Sequence, residues 1–397
     1  MNSTTLSIKD NANSTQIINI MMLGFFLRLF ALLFILLFAT EWTEPYFIAD
    51  DINYERIASE YLNNAVSLVD YSAFSRIAGG FLQPFWPWVM CISSYFFHSI
   101  YASRFINIIL STLCIRQIFK LTLNISKNEE TALTAAKLFA FLPVTVLTCC
   151  FPIKDIFLTF AVLYCFSLFV EIQSGEKITV LKVVFCVLLL VGIYFTRGAV
   201  TELMLIFFAV YAIQRFVKAR NYVAVIAMLV IFGAAAYFMK DSVLQAFERK
   251  IDDYGEYSLI GDSASFSAAN VLKQFVKLPF TYFFATLQPI KLSFSQFDDT
   301  SWWLNIISYL NISIYPVAIG NFLYIFSKKK NLFFWLSTLI MYCAIIFMVI
   351  GVFRHYLFLI PIEMINYSLY KEQQESMATV AIAASLLLML LHIVSLL

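Results

Sequence analysis

The sequence predicts an all-α polytopic membrane protein that forms a single transmembrane domain, residues 1–397. Hydrophobic residues make up 61% of the chain and charged residues only 13%, whereas soluble domains are about half apolar and about one quarter charged. Long apolar segments recur along the chain, and about 20 apolar residues in a helix can cross a bilayer. The 42 Phe and 21 Tyr residues also suit lipid-facing helices with aromatic residues at the interfaces.

The apolar segments predict about eleven transmembrane helices by length and hydropathy. They lie near residues 16–40, 102–123, 131–151, 155–171, 178–196, 198–215, 221–239, 302–326, 331–352, 355–370 and 376–396. The first segment is too long for the core of a signal peptide and has no small-residue cleavage site, so we expect it to be retained. The apolar stretch 81–98, which contains Pro84, Trp86 and Trp88, is predicted to lie flat at the membrane surface.

Basic residues in short loops predict the orientation of the chain. If 81–98 lies flat, all five basic loops fall on the side of the N-terminus, which carries Lys9 and, early in the first span, Arg28. We therefore place that side in the cytoplasm. Two long polar segments then face outward, namely 41–101 and 240–301, and the second contains an amphipathic stretch. The five loops contain Lys120 and Lys127; Lys177 and Lys182; Arg215, Lys218 and Arg220; Lys328 to Lys330; and Lys371.

The same topology collects ionisable residues at the outer ends of several spans. Charges at or within a membrane are costly and are usually kept for pairing or for function. The competing interpretation is that the arginines extend to lipid headgroups and that the acidic residues are solvated or paired. The residues are Asp50 and Asp51 after the first span, Lys154 and Asp155 at the start of another, Arg197 between two spans, and Arg354 and His355 between two later ones.

Carboxylates and cations gathered in this way suit the transfer of a group from a phosphate-linked donor. A carboxylate can take a proton from an acceptor hydroxyl, and arginine or lysine can stabilise the charge that grows on a leaving phosphate. The sequence contains no phosphate-binding GxxxxGK[ST] loop and no HExxH zinc motif. It has no CxxC pair, only three scattered His residues and no basic cluster for nucleic acid, so a metal cofactor is not indicated and nucleic acid is not an expected partner.

Several short motifs extend this hypothesis. The first outer segment contains DDINYERIA at residues 50–58, and a proline-entered interfacial helix is predicted within 79–95. The next span opens with ASRFIN at 102–107. Further along, FLP at 141–143 precedes Lys154-Asp155, and FRHY at 353–356 precedes Pro361. In this order the motifs resemble the GT-C integral membrane glycosyltransferases, especially the family 39-like enzymes, which include protein O-mannosyltransferases and the lipid A aminoarabinose transferase.

The resemblance implies an inverting glycosyltransferase of the bacterial surface-polysaccharide type, acting at the periplasmic face of the inner membrane. The donor would be a polyprenyl-phosphate-linked sugar, and the acceptor a lipid-linked or surface glycan such as O-antigen or capsule. The match assigns the general base to Asp50, with Asp51 beside it, and Asp155 would orient the acceptor or a cation. Lys154, Arg197 and Arg354 would hold the phosphate. The other predicted binding residues are Tyr54, Arg56, Arg76, Arg104 and His355.

Two alternatives stay open from the sequence. An O-antigen polymerase would also work on lipid-linked glycans with outer-loop arginines, but its donor is an oligosaccharide on polyprenyl pyrophosphate. A flippase or transporter of lipid-linked glycans would need no catalytic carboxylate, and inverted repeats or broken helices in matching halves would favour it. The acidic motif directly after the first span favours the single-sugar transferase.

Overall fold

A computed structural model describes residues 3–42, 49–63, 85–99, 101–175, 177–218, 223, 226, 314–325 and 357–373. Within these ranges the chain forms helices joined by short turns, which confirms the predicted all-α class. The helices are α1 (Ser3–Trp42), α2 (Ala49–Asn63), α3 (Phe85–Phe97), α4 (Ala102–Ser126), α5 (Glu129–Phe141), α6 (Pro143–Thr148), α7 (Asp155–Gln173), α8 (Val180–Lys218), α9 (Tyr315–Ile325) and α10 (Ile360–Gln373).

The chain divides into two compact units. The first comprises Met1–Arg197, Thr286–Lys329 and Leu357–Leu397, and the second comprises Gly198–Ala285 and Lys330–Tyr356. All contacts discussed below lie within the first unit. Of the second unit, the structure describes the rest of α8 beyond Arg197 together with Val223 and Ile226, and all of these residues are helical.

Four helical segments are long and apolar enough to cross a membrane. They are Thr15–Leu37, Ala102–Ser126, Asp155–Ile172 and Val180–Arg197. Each coincides closely with a predicted span, so the membrane character of the chain is confirmed. The first and fourth carry many exposed large apolar side chains, among them Phe30 and Leu181, as expected of helices that face lipid.

The prediction of one continuous span at 131–151 is wrong. The segment forms two helices, α5 and α6, which are separated at Leu142. Pro143 causes the break, because proline has no backbone N–H and disfavours helical geometry in the residue before it. Leu142 accordingly has extended backbone angles, with φ −65° and ψ 123°. With 13 residues, α5 rises about 20 Å, which is less than the thickness of the hydrocarbon core.

Arg28 does not act as a charge on the N-terminal side of the first span, as the sequence had suggested. It is fully buried close to the middle of that span. Its Nη1 donates to the carbonyl of Ala140 at 2.9 Å, and its Nη2 donates to that of Phe139 at 3.0 Å. These carbonyls belong to the last turn of α5, where a positive charge is favourable. Arg28 Nε also donates to Ser111 Oγ of α4 at 2.9 Å, so one side chain joins three helices.

Helices α7 and α8 pack as an antiparallel hairpin in a constant register. Near the turn, Lys182 Nζ lies 2.7 Å from Glu171 Oε2. Further along, the rings of Tyr164 and Phe185 are 4.9 Å apart. Lys120 of α4 also contacts the Glu171 carboxylate, so this residue holds α4, α7 and α8 together at one end.

The shorter helices agree with the predicted segments only in part. With 13 residues, α3 is too short to cross a bilayer of about 30 Å, in keeping with the prediction that 81–98 does not cross. Helix α9 covers the second half of 302–326, and α10 covers most of 355–370. Residues 198–215 are helical within α8. The segments 331–352, 376–396 and 240–301, and 221–239 apart from Val223 and Ile226, lie outside the described residues.

Helices α9 and α10 pack closely against each other. Asn366 Nδ2 of α10 donates to Asn321 Oδ1 of α9 at 2.7 Å. A Cβ atom on Gly320 would lie 2.1 Å from Cδ2 of Tyr367, so glycine is required for this approach. At the far end of α10, Glu372 accepts a hydrogen bond from Asn128, the N-cap residue of α5, at 2.8 Å.

Candidate functional site

Five charged side chains are buried where α2, α4, α7 and the first part of α8 meet. We call this group the charged cluster. Among the described residues, three of its members are cations and two are carboxylates. Charged groups are rarely buried unless they are paired or functional. The cluster consists of Glu55, Arg104, Lys154, Asp155 and Arg197.

Helix α2 brings Glu55 to Arg104. Tyr54, Ile57 and Tyr61 on this helix are buried, which fixes the face that it presents to its neighbours. Arg104 lies in the first turn of α4, and its Nη2 is 3.2 Å from Glu55 Oε1. Arg104 Nε lies 3.3 Å from the same oxygen. The pair ties α2 to the start of α4, one of the four helical segments long and apolar enough to cross a membrane.

Lys154 contacts the neighbouring residue of α2. Its Nζ is 5.8 Å from the centroid of the Tyr54 ring, which is within the range of a cation–π contact. Lys154 directly precedes α7 and is buried. Tyr54 and Glu55 are neighbours in sequence, so adjacent residues of α2 contact the cations of two different elements.

Asp155 begins α7 and faces Arg197. Asp155 Oδ1 lies 3.5 Å from Arg197 Nη1, and both residues are buried. Arg197 interrupts α8 with extended backbone angles, φ −163° and ψ 85°. The sequence placed this arginine at a boundary between two spans, and the break in the helix lies at that residue. A carboxylate in the first turn of α7 is also favoured by the helix dipole.

The segment between α6 and α7 is held by buried side chains. Asn107 Nδ2 of α4 donates to the carbonyl of Phe151 at 2.7 Å and to that of Ile153 at 3.0 Å. Trp86 Nε1 of α3 donates to the carbonyl between them, that of Pro152, at 2.8 Å. Three successive carbonyls just before Lys154 are therefore bonded to side chains of two other helices.

Aromatic rings of α3 and α7 pack beside this segment. Phe157 stacks on Trp86 with ring centroids 6.3 Å apart, and it lies 5.3 Å from the ring of Phe85. A Cβ atom on Gly192 of α8 would lie 2.8 Å from Phe157 Cζ, so the glycine lets α8 approach these rings. Helix α3 also contacts α2, because the Cys91 thiol donates to the carbonyl of Ala58 at 3.5 Å. Burial raises the pKa of this thiol to about 12, which keeps it protonated at neutral pH.

No protein-family model, curated protein or solved structure matches this chain. What the site can do is therefore inferred from its own residues. Buried arginine and lysine side chains suit an anion, and guanidinium groups bind phosphate oxygens well. Among the described residues, no group of three or more His, Cys, Asp or Glu side chains is placed to hold a metal ion.

The structure brings together five of the predicted site residues. Asp50 and Asp51 lie in the first turn of α2, four and three positions before Tyr54, and the structure describes only their backbone. Arg56 does not join the cluster: it is exposed and forms an ion pair with Glu60 at 2.6 Å. Arg76, Arg354 and His355 lie outside the described residues. The five that meet are Tyr54, Arg104, Lys154, Asp155 and Arg197.

Sequence reasoning assigned no role to Glu55, Asn107 or Trp86. A signal for Glu55 existed, because an arginine at the start of an apolar span needs a carboxylate, and Glu55 belongs to the acidic motif. Asn107 lies one turn after Arg104 on α4, which places both on one face of the helix. Nothing in the sequence distinguishes Trp86 from the aromatic residues around it.

Proposed function

We propose that this protein transfers a sugar from a polyprenyl monophosphate carrier to a hydroxyl of a lipid-linked or surface glycan. The reaction would take place at the periplasmic face of a bacterial inner membrane. One observation carries the proposal: Arg104 and Lys154 contact α2, whose first turn contains Asp50 and Asp51, and Arg197 pairs with Asp155, the residue after Lys154. A phosphate is the anion that suits such a group, and a lipid carrier would deliver it from the bilayer.

The proposed step is a single displacement with inversion at the anomeric carbon. The acceptor hydroxyl oxygen forms a bond to that carbon as the bond from the carbon to the phosphate oxygen breaks. The phosphate leaves with the bonding electrons, and the Asp50 carboxylate takes the hydroxyl proton. Lys154 and Arg197 stabilise the added charge on the leaving phosphate. Asp155 keeps the guanidinium of Arg197 in place, at an Oδ1 to Nη1 distance of 3.5 Å.

Binding of the carrier is the first test of this proposal. The probe is a polyprenyl monophosphate added to the detergent-solubilised protein, with the corresponding polyprenol and inorganic phosphate as comparisons. Charge-assisted hydrogen bonds contribute about 1.5–3 kcal/mol, so Arg197→Ala and Lys154→Ala should each weaken binding by about 10- to 100-fold. Arg56→Ala is the matched control, because Arg56 is exposed and pairs with Glu60 in the next turn of the same helix. Equal binding of the polyprenol, or unchanged binding by both cluster variants, would overturn the proposal.

Transfer itself is tested with a panel of sugars on polyprenyl monophosphate and on pyrophosphate. The measured product is the released lipid phosphate. Asp50→Asn should abolish release without loss of folded protein, and a variant with near-normal release would refute the assignment of the base. Release only from pyrophosphate donors bearing oligosaccharides would favour the polymerase alternative. Transport with no release, retained in Asp50→Asn, would favour the flippase.

A further inference from the structure

Buried side chains of two helices donate hydrogen bonds to the three backbone carbonyls just before Lys154, those of Phe151, Pro152 and Ile153. The chain from Cys149 to Lys154 has no helical hydrogen-bond ladder of its own, and Phe151 and Ile153 are both buried. Buried carbonyls require donors, and here side chains of α3 and α4 supply them.

We propose that Asn107 and Trp86 are positioning residues that set the location of Lys154 and Asp155. This inference rests on the proposed function, because it gives these two residues a purpose in the same site. Asn107 bonds the carbonyls on either side of Pro152, and Trp86 bonds the carbonyl of Pro152 itself. The next two residues along the chain are the lysine and the aspartate of the charged cluster.

Helix α4 contacts both α2 and the segment before α7. Arg104 on this helix holds α2 through Glu55. Asn107, one turn further along, holds the segment that leads into Lys154. The helix therefore fixes Tyr54 and Lys154 relative to each other, and their contact directly links α2 to the start of α7.

The donor group of Asn107 performs this positioning. Its Nδ2 makes both bonds to the segment, whereas Oδ1 is buried with no hydrogen-bond partner among the described residues. Asn107→Asp should therefore disturb the segment, because it keeps the size of the side chain and its acceptor oxygen but replaces the donor NH2 by a second oxygen. Trp86→Phe removes only the donor and leaves a ring to pack on Phe157.

The first experiment needs no substrate. The detergent-solubilised protein is treated with an amine-reactive reagent, and labelling at each lysine is measured by mass spectrometry. Lys154 is buried, whereas the side chains of Lys120 and Lys182 are each 37% exposed and serve as internal standards. Asn107→Asp and Trp86→Phe should raise labelling of Lys154 on the order of tenfold while the two standards change little, because a displaced segment exposes only its own lysine.

Asn366→Ala is the matched control. This second buried asparagine also donates a hydrogen bond between helices, at 2.7 Å to Asn321, but it lies on α10. It should lower the melting temperature without selective labelling of Lys154. If Lys154 stays protected in both Asn107→Asp and Trp86→Phe, or if Asn366→Ala exposes it equally, the positioning role is wrong.

The second experiment links the segment to the proposed chemistry. Binding of polyprenyl monophosphate is compared for Asn107→Asp in the parent protein and in the Arg197→Ala background. Residues that act through one site have non-additive effects. The expected result is a loss on the order of tenfold in the parent and less than about twofold in Arg197→Ala, whereas equal losses in both backgrounds would contradict it. Selective labelling of Lys154 in the Asn107 and Trp86 variants, with binding unchanged in both Arg197→Ala and Lys154→Ala, would overturn the proposed function and not the anchoring of the segment.

Discussion

Arg104 and Glu55 form a buried ion pair, with Nη2 of the arginine 3.2 Å from Oε1 of the glutamate. The sequence had placed Arg104 among the substrate-binding residues. The structure shows that at least part of its hydrogen-bonding capacity is used to hold α2 against α4. The pair therefore supports the site by fixing the helix on which the acidic motif lies.

Arg104→Ala should destabilise the protein strongly. Removal of one member of a buried pair leaves an uncompensated charge and costs about 3–5 kcal/mol. The measurement is thermal unfolding in detergent, compared with Arg56→Ala, in which the exposed pair to Glu60 should contribute at most about 1 kcal/mol. The double variant Glu55→Gln with Arg104→Met should recover part of the loss. Equal melting temperatures for Arg104→Ala and Arg56→Ala would contradict the buried pair.

Arg28→Met should weaken the contact between α1 and the end of α5. The carbonyl of Ala140 would lose a donor that bonds it at 2.9 Å, and each buried carbonyl left unpaired costs about 1–3 kcal/mol. Arg28→Lys should be more stable than Arg28→Met but less stable than the parent. A single ammonium group cannot reproduce the guanidinium donors that reach Ser111, Phe139 and Ala140. Unfolding in detergent measures both variants. A lysine variant as stable as the parent would show that charge alone is needed.

Oxidation should join Cys165 to Cys186 within one molecule. Their sulfur atoms are 3.3 Å apart across the hairpin of α7 and α8. The test adds copper phenanthroline to the detergent-solubilised protein and identifies the linked peptides by mass spectrometry. Cys165→Ser or Cys186→Ser should abolish the link. A link from Cys186 to another cysteine instead would show that the register of the hairpin is different.

Gly320→Ala should disrupt the packing of α9 against α10. The added methyl group would meet the ring of Tyr367 at 2.1 Å, too close for any small adjustment. Overpacking of this kind costs about 1–3 kcal/mol, which unfolding in detergent would detect. Combining Gly320→Ala with Tyr367→Ala should relieve the collision. If the single variant is as stable as the parent, the two helices do not approach at this point.

Much of the helical architecture could be predicted from the sequence because hydropathy determines where a helix can cross a membrane. The spans at Thr15–Leu37 and Ala102–Ser126 agree with the prediction for that reason. Residues 131–151 were mispredicted because an average over the segment conceals Pro143, although the proline itself is a recognisable signal. Hydropathy also could not reveal that Arg28 lies among carbonyls of α5, since these are more than 100 positions away along the chain.

The charged residues of the candidate site were easier to predict from the sequence than the residues that they contact. Lys154, Asp155 and Arg197 were selected because charges are costly in a membrane, and the structure places all three in one cluster. The pairing of Arg104 with Glu55 depends on how α2 packs, which no local pattern specifies. The side chains of Asn107 and Trp86 bond backbone carbonyls, and every residue type has a backbone carbonyl. The sequence therefore does not show which residues these two side chains contact.

The bonds of Arg28 have a consequence for how the protein is made. During synthesis α1 emerges long before α5, because 112 positions separate Arg28 from Ala140. At about 5–20 residues per second, translation of that stretch takes on the order of 5–20 s. Through this interval the guanidinium has none of its final acceptors on α5, and hydrocarbon is a poor environment for it. We expect nascent α1 to stay beside the insertion machinery or near the headgroups until α5 arrives, and to settle at full depth only then.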